Sequence, residues 1–239
     1  MVEFEGIVIR VTPFRDKDAI VNVISKDKLR SFLARGVLKL ESKNAPSVNM
    51  FVKSRFQVSK GKEGFSLRVG ELLNSYEKIK TNLNALAVMD FVGELTNKMI
   101  QADEVESLYP FFEKTIVLLN SGFDPLSAAI LYFARILLGT GYGLDVDSCV
   151  SCGKTSQIVS FSFKDGGFIC ADCFDPLKHE KLNSRQLKIW RYIFKVDLAN
   201  YGKVSFEKQE TLKVLNELAE FVTDVAQVEL KSLKLLRKL

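Results

Sequence analysis

Histidine is almost absent from this chain. His179, in "KHEK", is the only one, and that scarcity excludes several chemistries. A zinc-protease helix needs H-E-x-x-H, and the second histidine does not exist. A zinc deaminase needs H-x-E with a P-C-x-x-C pair, and "HEK" has the wrong spacing. Any Ser/His or Cys/His nucleophile would have to use His179, which reads instead as an exposed polar residue following a metal knuckle. No G-x-x-x-x-G-K-[ST] phosphate loop occurs. "GTGYG" (139–143) follows a helical run rather than a strand, so its glycines read as a helix stop, not a dinucleotide fingerprint. No spacing singles out an acid/base pair of carboxylates. We expect no catalytic residues and no enzyme.

Long apolar runs are also missing. The most apolar region, 115–139, is broken by Asn120, Asp124, Pro125 and Arg135, which argues against a membrane span. "MVEFEGIVIR" has no basic region followed by an apolar stretch, so no signal peptide is expected and a cytosolic location is the default. With 26% charged residues and 47% hydrophobic ones spread throughout, disorder is not expected.

Charge is unevenly distributed. Residues 1–80 hold 16 Lys/Arg against 9 Asp/Glu, whereas residues 81–145 hold 3 against 8. A basic first third beside an acidic middle is the footprint of a polyanion-binding module joined to something else. The competing reading is that the charges decorate solvated faces.

Residues 4–72 read as strands. In "VNMFVKSRFQVS", Val48, Met50, Val52, Phe56 and Val58 alternate with Phe51, Lys53, Arg55 and Gln57, which predicts a half-buried strand. "KGKEG" (60–64) reads as a hairpin loop. In the next strand Phe65, Leu67 and Val69 take one face and Ser66 and Arg68 the other. Five short strands in about 70 residues suit an OB-type barrel. Beyond Asn82 the period turns helical. "DEVESLYPFFEKTIVLLN" reads as one or two short helices limited by Pro110. Asp124 and Pro125 read as the N-cap and first position of a buried helix. Leu187, Trp190, Ile193 and Phe194 form one helical face, and Leu212, Leu215, Leu218, Val222 and Val225 another. The expected fold is α+β and multidomain: an OB-fold barrel over 1–80, then an all-α domain over 81–239 with a four-cysteine ribbon inserted at 146–176.

The four cysteines of the chain are Cys149, Cys152, Cys170 and Cys173. Two C-x-x-C pairs separated by 17 residues, across a hairpin turned by Asp165-Gly166, match a zinc ribbon. Gly153 suits the knuckle turn. One structural Zn²⁺ per chain is expected, since four protein ligands leave no open position for water. The alternatives are two local disulfides, or a site that has lost its metal.

In the basic barrel, Lys53 and Arg55 beside Phe51 would pair phosphate-attracting cations with a stacking platform. Arg10, Arg15, Lys17, Arg30, Arg35, Lys39, Lys43 and Arg68 supply further positive charge. The segment 36–47 is long and could reach over a strand, as OB loops that contribute to a nucleic-acid groove do. Against this, each lysine could simply be solvated and Phe51 buried.

The order of parts, together with "EGIVIR" (5–10), "DAIVNVIS" (18–25), "LARG" (33–36), "GELLNSY" (70–76), "FARILLGTGYGLDVDSCVSCG" (133–153), "GGFICADC" (166–173) and "LKSLKLL" (230–236), resembles the bacterial RecO family of DNA repair and recombination mediators along nearly the whole chain. That resemblance implies an OB fold, a helical domain and a structural zinc ribbon. It implies a non-enzymatic, nucleoid-associated protein that binds single- and double-stranded DNA and anneals complementary strands. With a RecR-like partner it would help a RecA-like recombinase displace single-strand-binding protein. It also implies docking of the acidic, apolar C-terminal tail of single-strand-binding protein, with Arg135 as a partner-binding candidate. In one departure, the residues after "ARG", "VLKLESK", are diluted by Leu38, Leu40 and Glu41. A different class stays open: a zinc-ribbon protein-interaction module of transcription or translation machinery, which would not anneal DNA.

Overall fold

Alternation along the first fourteen residues sets the architecture. In the computed structural model, which describes residues 1–62 and 64–238, strand β1 (Val2–Phe14) buries every residue from Gly6 to Ile9. Val8 points into a barrel, while Ile7 and Ile9 point outward into a second core. A strand covered on both faces reads as a continuous apolar run, which is what "GIVI" supplies.

The barrel is closed, in the order β1, β2 (Asp18–Ile24), β3 (Leu29–Ala34), β5 (Gly64–Asn74), β4 (Lys53–Gly61). All pairs are antiparallel except β3 with β5, which meet in parallel at the single pair Leu33↔Ser66. Phe32, Phe56 and Val58 fill the interior, with the rings of Phe32 and Phe56 5.1 Å apart. On β4 the expected alternation holds from Lys53 onward, with Ser54, Phe56 and Val58 inward. It fails before that point. Ala45–Val48 is a 3₁₀ turn, not strand. On β5, bulges opposite β4 break the face expected for Phe65, Leu67 and Val69, leaving Phe65 and Val69 exposed. Of the expected 60–64 loop, Glu63 lies outside the described residues.

Segment 36–47 does reach over the sheet, and it is pinned there. Asn44 Oδ1 accepts the Gly70 N–H, and Ser54 Oγ donates to the Ser47 carbonyl.

Helices follow: α1 (Glu77–Lys80), α2 (Leu83–Met99), α3 (Val105–Ser121) and α4 (Pro125–Gly139). Pro110 does not divide α3, contrary to expectation; it sits in the second turn and removes one ladder bond. Asp124 caps α4, accepting the Ser127 N–H at 2.7 Å. After the ribbon come α5 (Ser184–Lys195), opened by an Asn183/Gln186 capping box, α6 (Lys208–Ala226) and α7 (Leu233–Leu236). Val225 is exposed rather than part of the buried stripe of α6. The helical core is continuous with Ile7, Ile9, Ile24 and Phe51 from the barrel side, and with Phe161 and Phe168 from the ribbon.

Candidate metal centre and nucleic-acid interface

The ribbon hairpin, β6 (Ile158–Ser162) and β7 (Gly167–Cys170), brings the two C-x-x-C knuckles together. Gly153, at φ +76°, donates its N–H to the Cys149 carbonyl at 2.8 Å, closing the first knuckle. Cys173 N–H closes the second onto the Cys170 carbonyl at 3.2 Å. All four Sγ atoms lie within 4.8 Å of one another. Cys152 and Cys170 are 3.6 Å apart, near the roughly 3.8 Å edge of a tetrahedron with 2.3 Å metal–sulfur bonds. No disulfide forms.

The donor chemistry fits a cation. Burial works to raise the Cys149 thiol, but the N–H groups of Cys170, Ser151 and Cys152 outweigh it and hold Cys149 at about 6. The sulfurs of Cys152 and Cys170 push Cys173 up to about 12. Four thiols this close cannot all carry charge without a cation among them, and a bound metal ion supplies it. The ribbon is fastened to the helices by Phe161, whose ring stacks on Trp190 at 4.3 Å and 9°.

His179 is not the exposed residue expected. Its Nδ1 accepts the Asp175 N–H and its Nε2 faces Asp165 Oδ2, both at 3.0 Å. The ring ties the second knuckle to the hairpin tip.

The barrel cations divide by their partners. Arg30 is held by Asp27 and Ser25 and lies over the Phe4 ring at 4.3 Å. Lys53 pairs with Glu113 at 2.7 Å, Arg55 sits between Glu5 and Glu71 at 2.9 Å each, and Arg68 donates to Ser59. Arg10 opens on a different cavity beside Asp90 and Glu94. Lys17, Arg35, Lys39 and Lys43 have no ion-pair partner among the described residues, and Arg15 lies over the Phe14 ring at 5.0 Å. Phe51 must be corrected. It is 4% exposed, at φ +60°, and packed in the helical core, so it offers no platform to a base.

Where β3 and β5 barely touch, a cavity of about 700 Å³ opens. Arg35 and Lys62 line it together with Phe14, Ile20 and Phe65. Of these, only Arg35 was singled out from the sequence.

The family model described as "Recombination protein O N terminal" matches residues 1–76, and "Recombination protein O C terminal" matches 80–234. The chain belongs to the RecO family. DNA repair protein RecO of Halalkalibacterium halodurans is 28% identical over 98% of this chain and 94% of its own length. The RecO proteins of Oceanobacillus iheyensis and Listeria innocua are 28% and 30% identical, each over 99% of this chain and 93% and 94% of theirs. The family is one of DNA repair and recombination.

Within this RecO fold, Arg135 on α4 donates to the Phe194 carbonyl at 2.9 Å, at the C-terminal end of α5, and lies over Phe111 at 5.1 Å. A guanidinium there meets the negative end of the helix dipole. Its Nε is buried without a hydrogen-bond partner among the described residues. No described helix is long and apolar enough to cross a membrane.

Proposed function

We propose that this chain is a recombination mediator that binds single- and double-stranded DNA, anneals complementary strands and helps load a RecA-like recombinase onto DNA covered by single-strand-binding protein. The observation that carries this reading is the barrel-end cavity, whose cations have no ion-pair partner among the described residues, in a chain that matches the RecO family along its length. Cations spared from ion pairing are available to phosphates, and each phosphate neutralised releases counterions. Two strands brought to such a surface repel each other less, and base pairing then proceeds downhill. No bond is made or broken in this work, so the protein acts without turnover.

The metal in this reading is one zinc ion, held by Cys149, Cys152, Cys170 and Cys173 as a structural element. The helical domain over 81–239 serves partners: a RecR-like protein, and the acidic tail of single-strand-binding protein near Arg135. The unsatisfied Nε of Arg135 supports that place for a carboxylate. The protein acts in the cytoplasm, at the nucleoid.

The test is annealing of complementary oligonucleotides, bare and coated with single-strand-binding protein. Acceleration in both cases supports the reading. A protein that used its ribbon only for protein contacts would leave both rates unchanged.

A further inference from the structure

Most aromatic side chains in this protein are buried or partly covered. The chain has 18 Phe, 6 Tyr and 1 Trp, and the most exposed of their side chains are those of Phe14 and Phe65, at 38% and 40%. They are far apart in sequence, on β1 and β5, yet both line the cavity that holds Arg35 and Lys62. Phe65 also lines the adjoining cavity of about 290 Å³ that continues past Phe32 towards Val2 and Phe4. Two exposed rings meeting at one cationic mouth have a single economical explanation: the rings and the cations act on the same ligand.

We propose that Phe14 and Phe65 are base-stacking residues that give this site its preference for single-stranded over double-stranded nucleic acid. The proposal rests on the DNA-binding reading above. The cations see phosphates in either form of DNA. A ring needs the open face of a base, and in a duplex both faces are already covered by neighbouring pairs. Stacking therefore adds affinity only for unpaired strands. The site also lies where the sheet is least knitted, since Leu33↔Ser66 is the only β3–β5 pair among the described residues, so a base can approach the rings without breaking a ladder. Arg15, 5.0 Å above the Phe14 ring, adds positive charge where the strand would pass.

The experiment uses the full chain and three ligands of equal length: a deoxythymidine oligonucleotide, a duplex, and an abasic strand with the same phosphates but no bases. Phe14→Leu with Phe65→Leu keeps the apolar volume and removes the π faces. This variant should bind the single strand about 5-fold or more weakly per ring. Its duplex affinity and its salt dependence should be unchanged. The abasic strand should bind wild type as weakly as the normal strand binds the variant, and should not distinguish the two proteins. Arg35→Ala should weaken all three ligands and lower the salt slope. Equal losses on single strand and duplex, or no loss on either, would overturn the proposal. If wild type binds none of the three ligands at low salt, the DNA-binding reading itself fails.

Discussion

The Phe51 ring rests against Gly93 of α2: a Cβ placed on Gly93 would meet Phe51 Cε1 at 3.4 Å and the Ile9 carbonyl oxygen at 3.0 Å. This contact joins the barrel to the helices. Phe51 N–H donates to Val8 O, and Val8 N–H donates to Val52 O, so the segment is stitched to β1 while its ring crosses into the helical core. Phe51→Ala should cost about 3–5 kcal/mol, the usual range for a buried ring. Gly93→Ala, at an interior helix position, would ordinarily gain about 0.5–1 kcal/mol; here it should gain nothing or lose stability. Urea unfolding of both variants checks this, and a stabilised Gly93→Ala would contradict it.

Metal removal should loosen more than the knuckles. Cys149→Ser should abolish stoichiometric metal, measured by elemental mass spectrometry, and lower Tm. Each kcal/mol lost shifts Tm by about 2–4 °C in a chain this size. Because Phe161 stacks on Trp190, fluorescence of that single tryptophan should change when a chelator strips the ribbon. Full metal content in the Ser variant would refute a four-sulfur site.

Arg35 and Arg55 were indistinguishable as sequence, and the structure separates them. Arg55→Ala should leave the salt dependence of oligonucleotide binding as it is, because Glu5 and Glu71 already hold that guanidinium. Arg35→Ala should reduce the log–log slope by about 0.7. Equal slopes for the two variants would remove the distinction drawn from their partners.

Glu94 makes the C-terminal segment acid-sensitive. Burial raises its pKa, but Lys98, the Ser232 hydroxyl and the N–H groups of Ser232 and Lys231 outweigh that and bring it to about 2. A carboxyl whose folded pKa lies below its unfolded value of 4.5 stabilises above about pH 4.5, and that contribution fades as pH falls towards 2. Protection of the amides in residues 227–238, taken relative to the free-peptide exchange rate at each pH, should therefore fall across that window. In Glu94→Gln it should be low at neutral pH and lose its acid step. The same step in the variant would assign it to another group.

The metal centre was legible in the sequence because its determinants are local. Two knuckles, Gly153 and an Asp165-Gly166 turn fix the geometry within 25 residues. The barrel was legible from alternation, although the burial of Phe51 was not: its ring leaves the barrel on the face opposite Val52, as alternation places it, but α2 covers that face, and period-2 reasoning carries no account of what packs outside a barrel. The cations needed partners that only the fold supplies. Glu113 reaches Lys53 from a helix 60 residues away, and Glu5 reaches Arg55 from 50. Phe14 and Phe65 did carry a signal. Each stands beside a hairpin turn, before "RDK" and after "KGKEG", opposite a charged residue, Asp18 or Lys60, across the hairpin.

The most direct measurement is photo-crosslinking of a 4-thiothymidine oligonucleotide to the full chain, with the adducts mapped by mass spectrometry. Adducts should concentrate on Phe14, Arg35, Lys62 and Phe65, around the opening between β3 and β5. Adducts confined to the helices between 83 and 236, with that opening untouched, would contradict the placement of the strand on the barrel.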